Sequence, residues 1–120
     1  MITANGPVTI GTDMSGNLAS TPIRLDQHYG FTIQLAWTGT PVGNFTLEAS
    51  NDNGSIEPNN TIDNVTHWTT IANSSSAAGG AASNLMYNVN LAFYRWVRVV
   101  YTATSGSGTL TNARFEIKGV

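Results

Sequence analysis

Residues 29–50 read YGFTIQLAWTGTPVGNFTLEAS, and this stretch holds two apolar alternations separated by a turn. Within Tyr29–Trp37 the residues at odd positions are aromatic or aliphatic, and within Asn44–Ser50 Phe45, Leu47 and Ala49 alternate with polar residues. A period of two places successive side chains on opposite faces of a strand. We therefore predict two strands of an antiparallel structure, each with one face in the core.

Similar but weaker patterns recur along the chain, and no segment of ten or more residues has helical periodicity. They predict strands at Pro7–Ile10, Thr21–Leu25, Val65–Ala72 and Asn84–Leu91, and a closing hairpin formed by residues 92–104 and 108–119 across Ser105–Gly108. Polar residues 51–64 predict a surface loop, and the small residues 73–83 predict a mobile loop or an arm ordered only by a partner. About eight strands predict an all-β fold, an antiparallel β-sandwich of jelly-roll topology, with residues 1–120 as one domain.

The composition excludes several classes of protein. There is no cysteine, and only 10% of the residues are charged, while Thr (16), Asn (13), Gly (12) and Ser (10) are abundant. A net charge of −2 provides no basic surface for nucleic acid. No run of 18 apolar residues and no signal-peptide pattern is present, so no membrane partner is expected.

The residue types of common active sites are sparse. The two histidines, His28 and His67, are far apart in sequence, and neither stands in a motif that pairs it with an acidic residue. No G-x-S-x-G motif frames a serine. We therefore predict that the protein is not an enzyme and that both histidines are surface or edge residues.

Oxygen donors suited to calcium cluster in SNDNGSIE, residues 50–57, at Asn51, Asp52, Asn53 and Glu57. Their spacing differs from that of an EF-hand loop, because Gly54 comes too early. We interpret the segment as an Asx-type turn that closes the preceding strand. No metal and no cofactor are predicted.

Three tryptophans, Trp37, Trp68 and Trp96, are candidates for stacking against sugar rings. Each lies inside an alternating strand pattern, where a core or interface position is the more common one. We therefore favour a core or interface role over a carbohydrate platform.

The strand YRWVRVV, residues 94–100, has no polar face. Arg95 and Arg98 lie on opposite faces, so one arginine is expected to point inward and to need a partner such as Glu48 or Glu116. Loops or another subunit would have to cover the remaining apolar face. The composition favours a subunit, and the candidate interface consists of Tyr94, Trp96, Arg98 and Val100.

Part of the sequence resembles the discoidin-like (coagulation factor C-type) jelly roll over roughly its C-terminal two-thirds. The matching segments are FTLEASNDN, HWTTI and YRWVRVVYTATSGSGTLTNARFEIKG, with Phe45, Leu47, Ser50, Asp52, Trp68, Arg95, Trp96, Val97, Arg98, Phe115 and Gly119 at the matching positions. The cysteines that often join the ends of such domains are absent and the N-terminal third is shorter. The resemblance implies the fold, and the family's sugar and lipid binding is not carried over.

A second resemblance is to small bacteriophage virion proteins of uncharacterised type. It is carried by Trp37–Pro41, Gly43, Phe45, Leu47 and Ser50–Asp52, then by Arg98 and Val100–Leu110. The likeness implies a capsid decoration or cement protein, made in the bacterial cytoplasm and located on the capsid surface. Its partner would be the major capsid protein, which it would cross-link as a small homo-oligomer such as a trimer through several weak contacts.

The alternative is a tail or fibre accessory that binds host-surface glycan. This alternative differs from the capsid decoration protein in its position on the virion and in its binding partner, which would be a glycan instead of the major capsid protein.

Overall fold

The computed structural model describes residues 6–25, 30–52, 55–56, 62–63, 65–90 and 94–118. These residues form β-strands joined by turns, and within them no helix is long and apolar enough to span a membrane. The strands are β1 (Gly6–Pro7), β2 (Leu18–Ala19), β3 (Ile23–Arg24), β4 (Gly30–Gly39), β5 (Val42–Ser50), β6 (Ser55–Ile56), β7 (Ile62–Asp63), β8 (Thr69–Thr70), β9 (Ser76–Ala77), β10 (Ser83–Val89), β11 (Trp96–Ser105) and β12 (Gly108–Lys118).

The strands form an antiparallel β-sandwich with jelly-roll topology. The first sheet has the order β1-β12-β4-β10, and the second has the order β2-β11-β5-β8. Strand β3 also pairs with β11, and β9 also pairs with β5, so these ten strands occupy eight positions. The consecutive strands β4 and β5 lie in opposite sheets, as do β10 and β11, which is the alternation of a jelly roll. The predicted fold class is confirmed.

The predicted closing hairpin is wrong, because β11 and β12 belong to different sheets. Strand β11 pairs with β5, whereas β12 pairs with β4 from Gly108↔Gly39 to Lys118↔Gly30. The chain crosses between the sheets at Gly106, whose φ of 72° is a conformation that favours glycine. The crossing from β4 to β5 lies beside it, since the Thr40 N–H donates to the Ser107 carbonyl at 2.8 Å. A short turn-rich connection has the same appearance in sequence whether it joins neighbouring strands or opposite sheets.

The core lies between the two sheets and is built by the predicted alternations. The described residues of β4 and β5 that were expected inside are buried, as are alternate residues of β11; the set is Phe31, Ile33, Leu35, Trp37, Phe45, Leu47, Ala49, Val97, Val99 and Tyr101. Aromatic rings pack both between and within the sheets: the Phe45 ring centre lies 5.2 Å from that of Trp37 in the opposite sheet and 4.8 Å from that of Tyr101 in the same sheet. Such pairs stabilise a core beyond the area they bury.

Residues 73–83 are attached to this chain's own sandwich, which differs from the predicted mobile loop or partner-ordered arm. Strand β9 pairs with β5, and buried Ala78 donates its N–H to the Gly43 carbonyl at 2.9 Å. The Trp37 Nε1–H donates to the Ala81 carbonyl at 2.9 Å. Because these residues are small, their backbone approaches β5 closely enough to form a sheet edge.

The other predicted strands are present in shortened form. The segment Val65–Ala72 contributes only β8, Thr21–Leu25 contributes β3, and Pro7–Ile10 overlaps β1 at its first residue. Within the predicted 51–64 loop, β6 and β7 pair as a separate two-stranded ribbon, and most of the remaining loop lies outside the described residues. Short edge strands limit pairing with other chains.

Candidate functional site

The four predicted interface residues lie on or beside the outer face of the second sheet. Val97, Val99 and Tyr101 point into the core, so Trp96, Arg98 and Val100 point away from it. Tyr94 comes two residues before β11. Tyr94, Arg98 and Val100 are half-buried, whereas Trp96 is only 2% exposed.

Trp96 is covered by residues of its own chain. Its Nε1–H donates to the Asp52 carbonyl at 3.0 Å, and the Arg24 guanidinium lies 5.7 Å from the centre of its ring. The Trp96 side chain, which is the largest apolar group on the outer side of this strand, is therefore not available to a partner surface.

Arg98 is held on the same outer face by two neighbours. A guanidinium nitrogen lies 2.6 Å from Glu48 Oε1, and the Arg98 Nε–H donates to the same oxygen at 2.7 Å. On its other side the guanidinium lies 4.4 Å from the centre of the Trp68 ring. The prediction of Glu48 as an arginine partner is confirmed, and the other acid named, Glu116, pairs with Arg114 instead.

The prediction that an arginine points into the core is wrong. Arg95 precedes β11 and is exposed, so the strand's alternation toward the core begins only at Val97. The Arg95 N–H donates to Asn51 Oδ1 at 3.1 Å, which ties the start of the strand to the end of β5. On the outer face, arginine side chains therefore contact aromatic rings and a carboxylate of the same chain: Arg24 lies over Trp96, and Arg98 lies between Glu48 and Trp68.

A cleft of about 490 Å³ opens at the end of β5, beside β8. Its walls include Ser50, Asp52, His67, Thr70, Ile71 and Tyr94. Tyr94 is the one predicted interface residue that lines this cleft. The combination of an aromatic ring, an aliphatic side chain and several hydroxyl and charged groups suits a polar ligand with an apolar face.

Asp52 and His67 meet in this cleft although 15 positions separate them in sequence. His67 Nδ1 lies 3.1 Å from Asp52 Oδ1, and the backbone N–H groups of Thr66 and His67 donate to Asp52 Oδ2 at 2.7 and 2.8 Å. These hydrogen bonds, first that of the His67 N–H and then that of the Thr66 N–H, lower the pKa of the Asp52 carboxyl below its ordinary value.

This pair presents an oriented imidazole to solvent, since the His67 side chain is 87% exposed and that of Asp52 only 20%. The Asp52 carboxylate contacts Nδ1 of the ring, and a carboxylate–imidazole contact of this kind can orient a general acid or base. His67 precedes β8 rather than lying within a strand, and His28 lies outside the described residues. Sequence spacing hides the pair, because the intervening segment brings the two residues together only in the fold.

The candidate calcium ligands have other partners where they are described. Asp52 binds residues 66 and 67, Asn51 binds Arg95, and Asn53 and Glu57 lie outside the described residues. The Asp52 N–H donates to Ser50 Oγ at 3.0 Å, and the N–H groups that would close the predicted Asx-type turn at Asn51 or Asp52 lie outside the described residues. Within the described part of the chain, no group of three or more His, Asp or Glu residues is arranged to hold a metal ion.

Of the three tryptophans, only Trp68 retains a partly exposed ring. Trp37 belongs to the core and Trp96 is covered on the outer face, as the preference for core positions predicts. Trp68 follows His67 directly and supports Arg98, so it connects the outer face to the segment that lines the cleft.

The comparisons with known proteins concern the fold. No protein-family profile matches the sequence, and no curated protein matches it. Among solved structures, the chain is similar to the enzymatically active domain of tailspike protein 4 from bacteriophage CBA120, with a TM-score of 0.51 and 8% identity. The match covers 85% of this chain and 14% of that chain, so the present chain spans a small part of the tailspike structure.

This likeness corrects the prediction that the protein is not an enzyme. That prediction depended on finding no catalytic group in the sequence, whereas the same fold occurs within a domain described as enzymatically active. The Asp52–His67 pair also supplies the acid–imidazole contact that the sequence lacked. The exclusion of catalysis is therefore withdrawn.

Proposed function

We propose that this chain is a structural protein of a bacteriophage virion. The observation that carries the proposal is the jelly roll itself, of which 85% aligns with part of a phage tailspike structure. The long motifs Trp37–Pro41 and Val100–Leu110, which resemble those of small phage virion proteins, support it independently. Double-sheet jelly rolls also occur in viral capsid proteins.

The first candidate position is the capsid surface, where the chain would act as a decoration or cement protein on the major capsid protein. The support is the sequence resemblance to virion proteins. In this position, weak contacts at junctions between capsomers would act together and resist dissociation. The outer face and the loops around the cleft are the surfaces that we assign to these contacts.

The second candidate position is the tail or fibre, where the chain would bind a glycan of the host surface. Two observations favour it: the similar solved structure is a tailspike protein, and the cleft places Tyr94 beside Asp52, His67 and Thr70. An aromatic ring next to hydrogen-bonding groups is suited to a sugar, whose ring has an apolar face and a polar rim.

Gold-labelled antibody against the folded protein, applied to purified virions, tests the proposal and separates the two positions. Label over the heads supports decoration, and label at the tail supports the accessory. If the antibody binds the purified protein but labels no part of the virions, both positions are contradicted.

A glycan array tests the ligand of the second candidate directly. We expect retention by the wild-type protein that is lost in Tyr94→Ala and kept in Thr102→Ala, an exposed residue of β11 outside the cleft. Retained glycans are also analysed for cleavage, with His67→Ala as the matched variant. An array without retention by the wild-type protein removes the glycan-binding candidate and leaves the capsid candidate in place.

A further inference from the structure

The two sheets of the sandwich have four edges, and three of them carry features that prevent pairing with another chain. Strand β1 ends with Pro7, which lacks an N–H donor. The edge formed by β2 and β3 is interrupted at Pro22. The edge formed by β8 and β9 is interrupted by a turn at Asn73, whose φ is 64°. Short or broken edges of this kind are how sandwiches avoid edge-to-edge association.

The fourth edge, β10, has none of these features. It pairs with β4 without a break from Ser83↔Trp37 to Val89↔Phe31. Its sequence SNLMYNV contains no proline, no glycine and no charged residue. In an antiparallel ladder, alternate N–H and C=O groups of the outermost strand point away from its neighbour and can bind a further strand.

The side chains of β10 add an exposed apolar group to this edge. Met86, at the centre of the strand, is 55% exposed and is one of two large hydrophobic side chains that are exposed among the described residues. The other, Val42, lies in β5 of the opposite sheet. Leu85 and Tyr87 point toward the core and are half-buried, and among the described residues no strand pairs with the outer side of β10.

We propose that β10 is a contact surface for a second copy of this chain, which adds its own β10 in antiparallel orientation. The twofold axis passes midway between the two strands, between Met86 of one copy and Met86 of the other. This register pairs all seven residues: Leu85 faces Tyr87, Asn84 faces Asn88 and Ser83 faces Val89. The two four-stranded sheets then form one eight-stranded sheet.

The strand fits its own copy better than an unrelated partner because the register is self-complementary on both faces. On the core side, an aliphatic side chain faces an aromatic one, a favourable cross-strand pair. On the outer side, amide faces amide around the central methionine pair. With no charge in the strand, identical copies do not repel one another. A twofold contact of this type is closed and forms a dimer rather than the trimer predicted from the sequence.

A single cysteine tests the register, because the native chain contains none. In Met86→Cys the two thiols face each other across the axis, within the spacing that a disulfide bridges. We expect rapid formation of a covalent dimer under mild oxidation, and slow formation for the matched variant Thr102→Cys in the other sheet. Equal rates for the two variants, or faster cross-linking at Thr102, overturn the proposal.

A charge tests whether the contact holds the native protein together. Met86→Lys places like charges opposite each other and is accommodated in the folded monomer because the side chain is exposed. By sedimentation, we expect the dissociation constant of the Met86→Lys dimer to be about tenfold higher than that of the wild-type dimer. Thr102→Lys should have the same dissociation constant as the wild-type protein. A wild-type protein that remains monomeric up to about 100 μM, or a Met86→Lys dimer of unchanged stability, overturns the proposal.

Discussion

The Arg98 guanidinium lies 4.4 Å from the centre of the Trp68 ring and stacks on it while binding Glu48. Both neighbours are partly shielded from water, so the contacts are stronger than those of a fully exposed pair. We expect Arg98→Ala to lower the free energy of unfolding by about 2 kcal/mol, measured by urea denaturation.

A double-mutant cycle isolates the stacking contribution. Arg98→Ala and Trp68→Ala, made singly and together, are expected to show a coupling of about 1 kcal/mol. Arg98→Lys should recover part of the lost stability, because an ammonium keeps the charge but not the planar contact. Fully additive single and double variants would show that the ring does not support the guanidinium.

The half-buried Tyr87 and the buried Tyr101 should respond differently to loss of the hydroxyl group. The Tyr87 hydroxyl donates to the Ser74 carbonyl at 2.7 Å, whereas the buried Tyr101 hydroxyl has no hydrogen-bond partner among the described residues. We expect Tyr87→Phe to lower the free energy of unfolding by about 1 kcal/mol and Tyr101→Phe to leave it unchanged or raise it. Thermal denaturation of both variants checks this, and an equal loss in the two would contradict it.

The same two tyrosines predict sensitivity to alkali. Burial raises the pKa of both Tyr87 and Tyr101, because the charged phenolate is poorly solvated inside the protein. Their contribution to stability is complete below the ordinary tyrosine pKa of about 10 and decreases as the pH rises above it. We expect the wild-type protein to lose stability above this pH and the Tyr87→Phe, Tyr101→Phe double variant to lose less.

Asp52 predicts the opposite dependence at acidic pH. Its pKa is lowered by the hydrogen bonds from residues 66 and 67, so the folded state favours the ionised carboxylate. The resulting stabilisation is present above the ordinary aspartate pKa of about 3.9 and is lost as the pH falls through the lowered value. Asp52→Asn should therefore be less stable than wild type at neutral pH and differ little from it in strong acid. A difference in stability between Asp52→Asn and the wild-type protein that does not change with pH would show that the charge of Asp52 does not help to hold residues 66 and 67.

A side chain at Gly106 should destabilise the crossing between the two sheets. Its φ of 72° disfavours any other residue, and an added side chain would collide with the backbone of Thr40. We expect Gly106→Ala to lower the free energy of unfolding by about 2 kcal/mol or more. Gly16→Ala is the matched control, because nothing lies near that position and its backbone is unstrained. Equal stability of the two variants would show that the crossing tolerates a side chain.

The sequence predicts the interior of this fold well, because a strand with one buried face has apolar residues at every second position. The inward positions of β4 and β5, from Phe31 to Ala49, follow the pattern throughout. Alternation does not record which sheet a strand joins. The pattern around Gly106 therefore predicts a hairpin, although the chain crosses there to the opposite sheet.

The candidate site was less predictable because its contacts join distant segments. The Arg98–Glu48 pair was foreseeable, since a half-buried arginine requires an acid and the chain has few. The Asp52–His67 contact depends on the path of the intervening loop, and neither residue stands out in a local motif. Trp96 appeared available to a partner because the sequence does not show Arg24 lying over its ring.

The number of copies of this chain in purified virions tests the central claim most directly. Peptide mass spectrometry with labelled standards would measure the ratio of this chain to the major capsid protein, in whole virions and in separated heads and tails. A virion protein is expected to co-purify at a fixed ratio, with the chain in the head fraction for decoration or in the tail fraction for the accessory. A chain that is abundant in the infected cell but absent from purified virions would contradict the proposal.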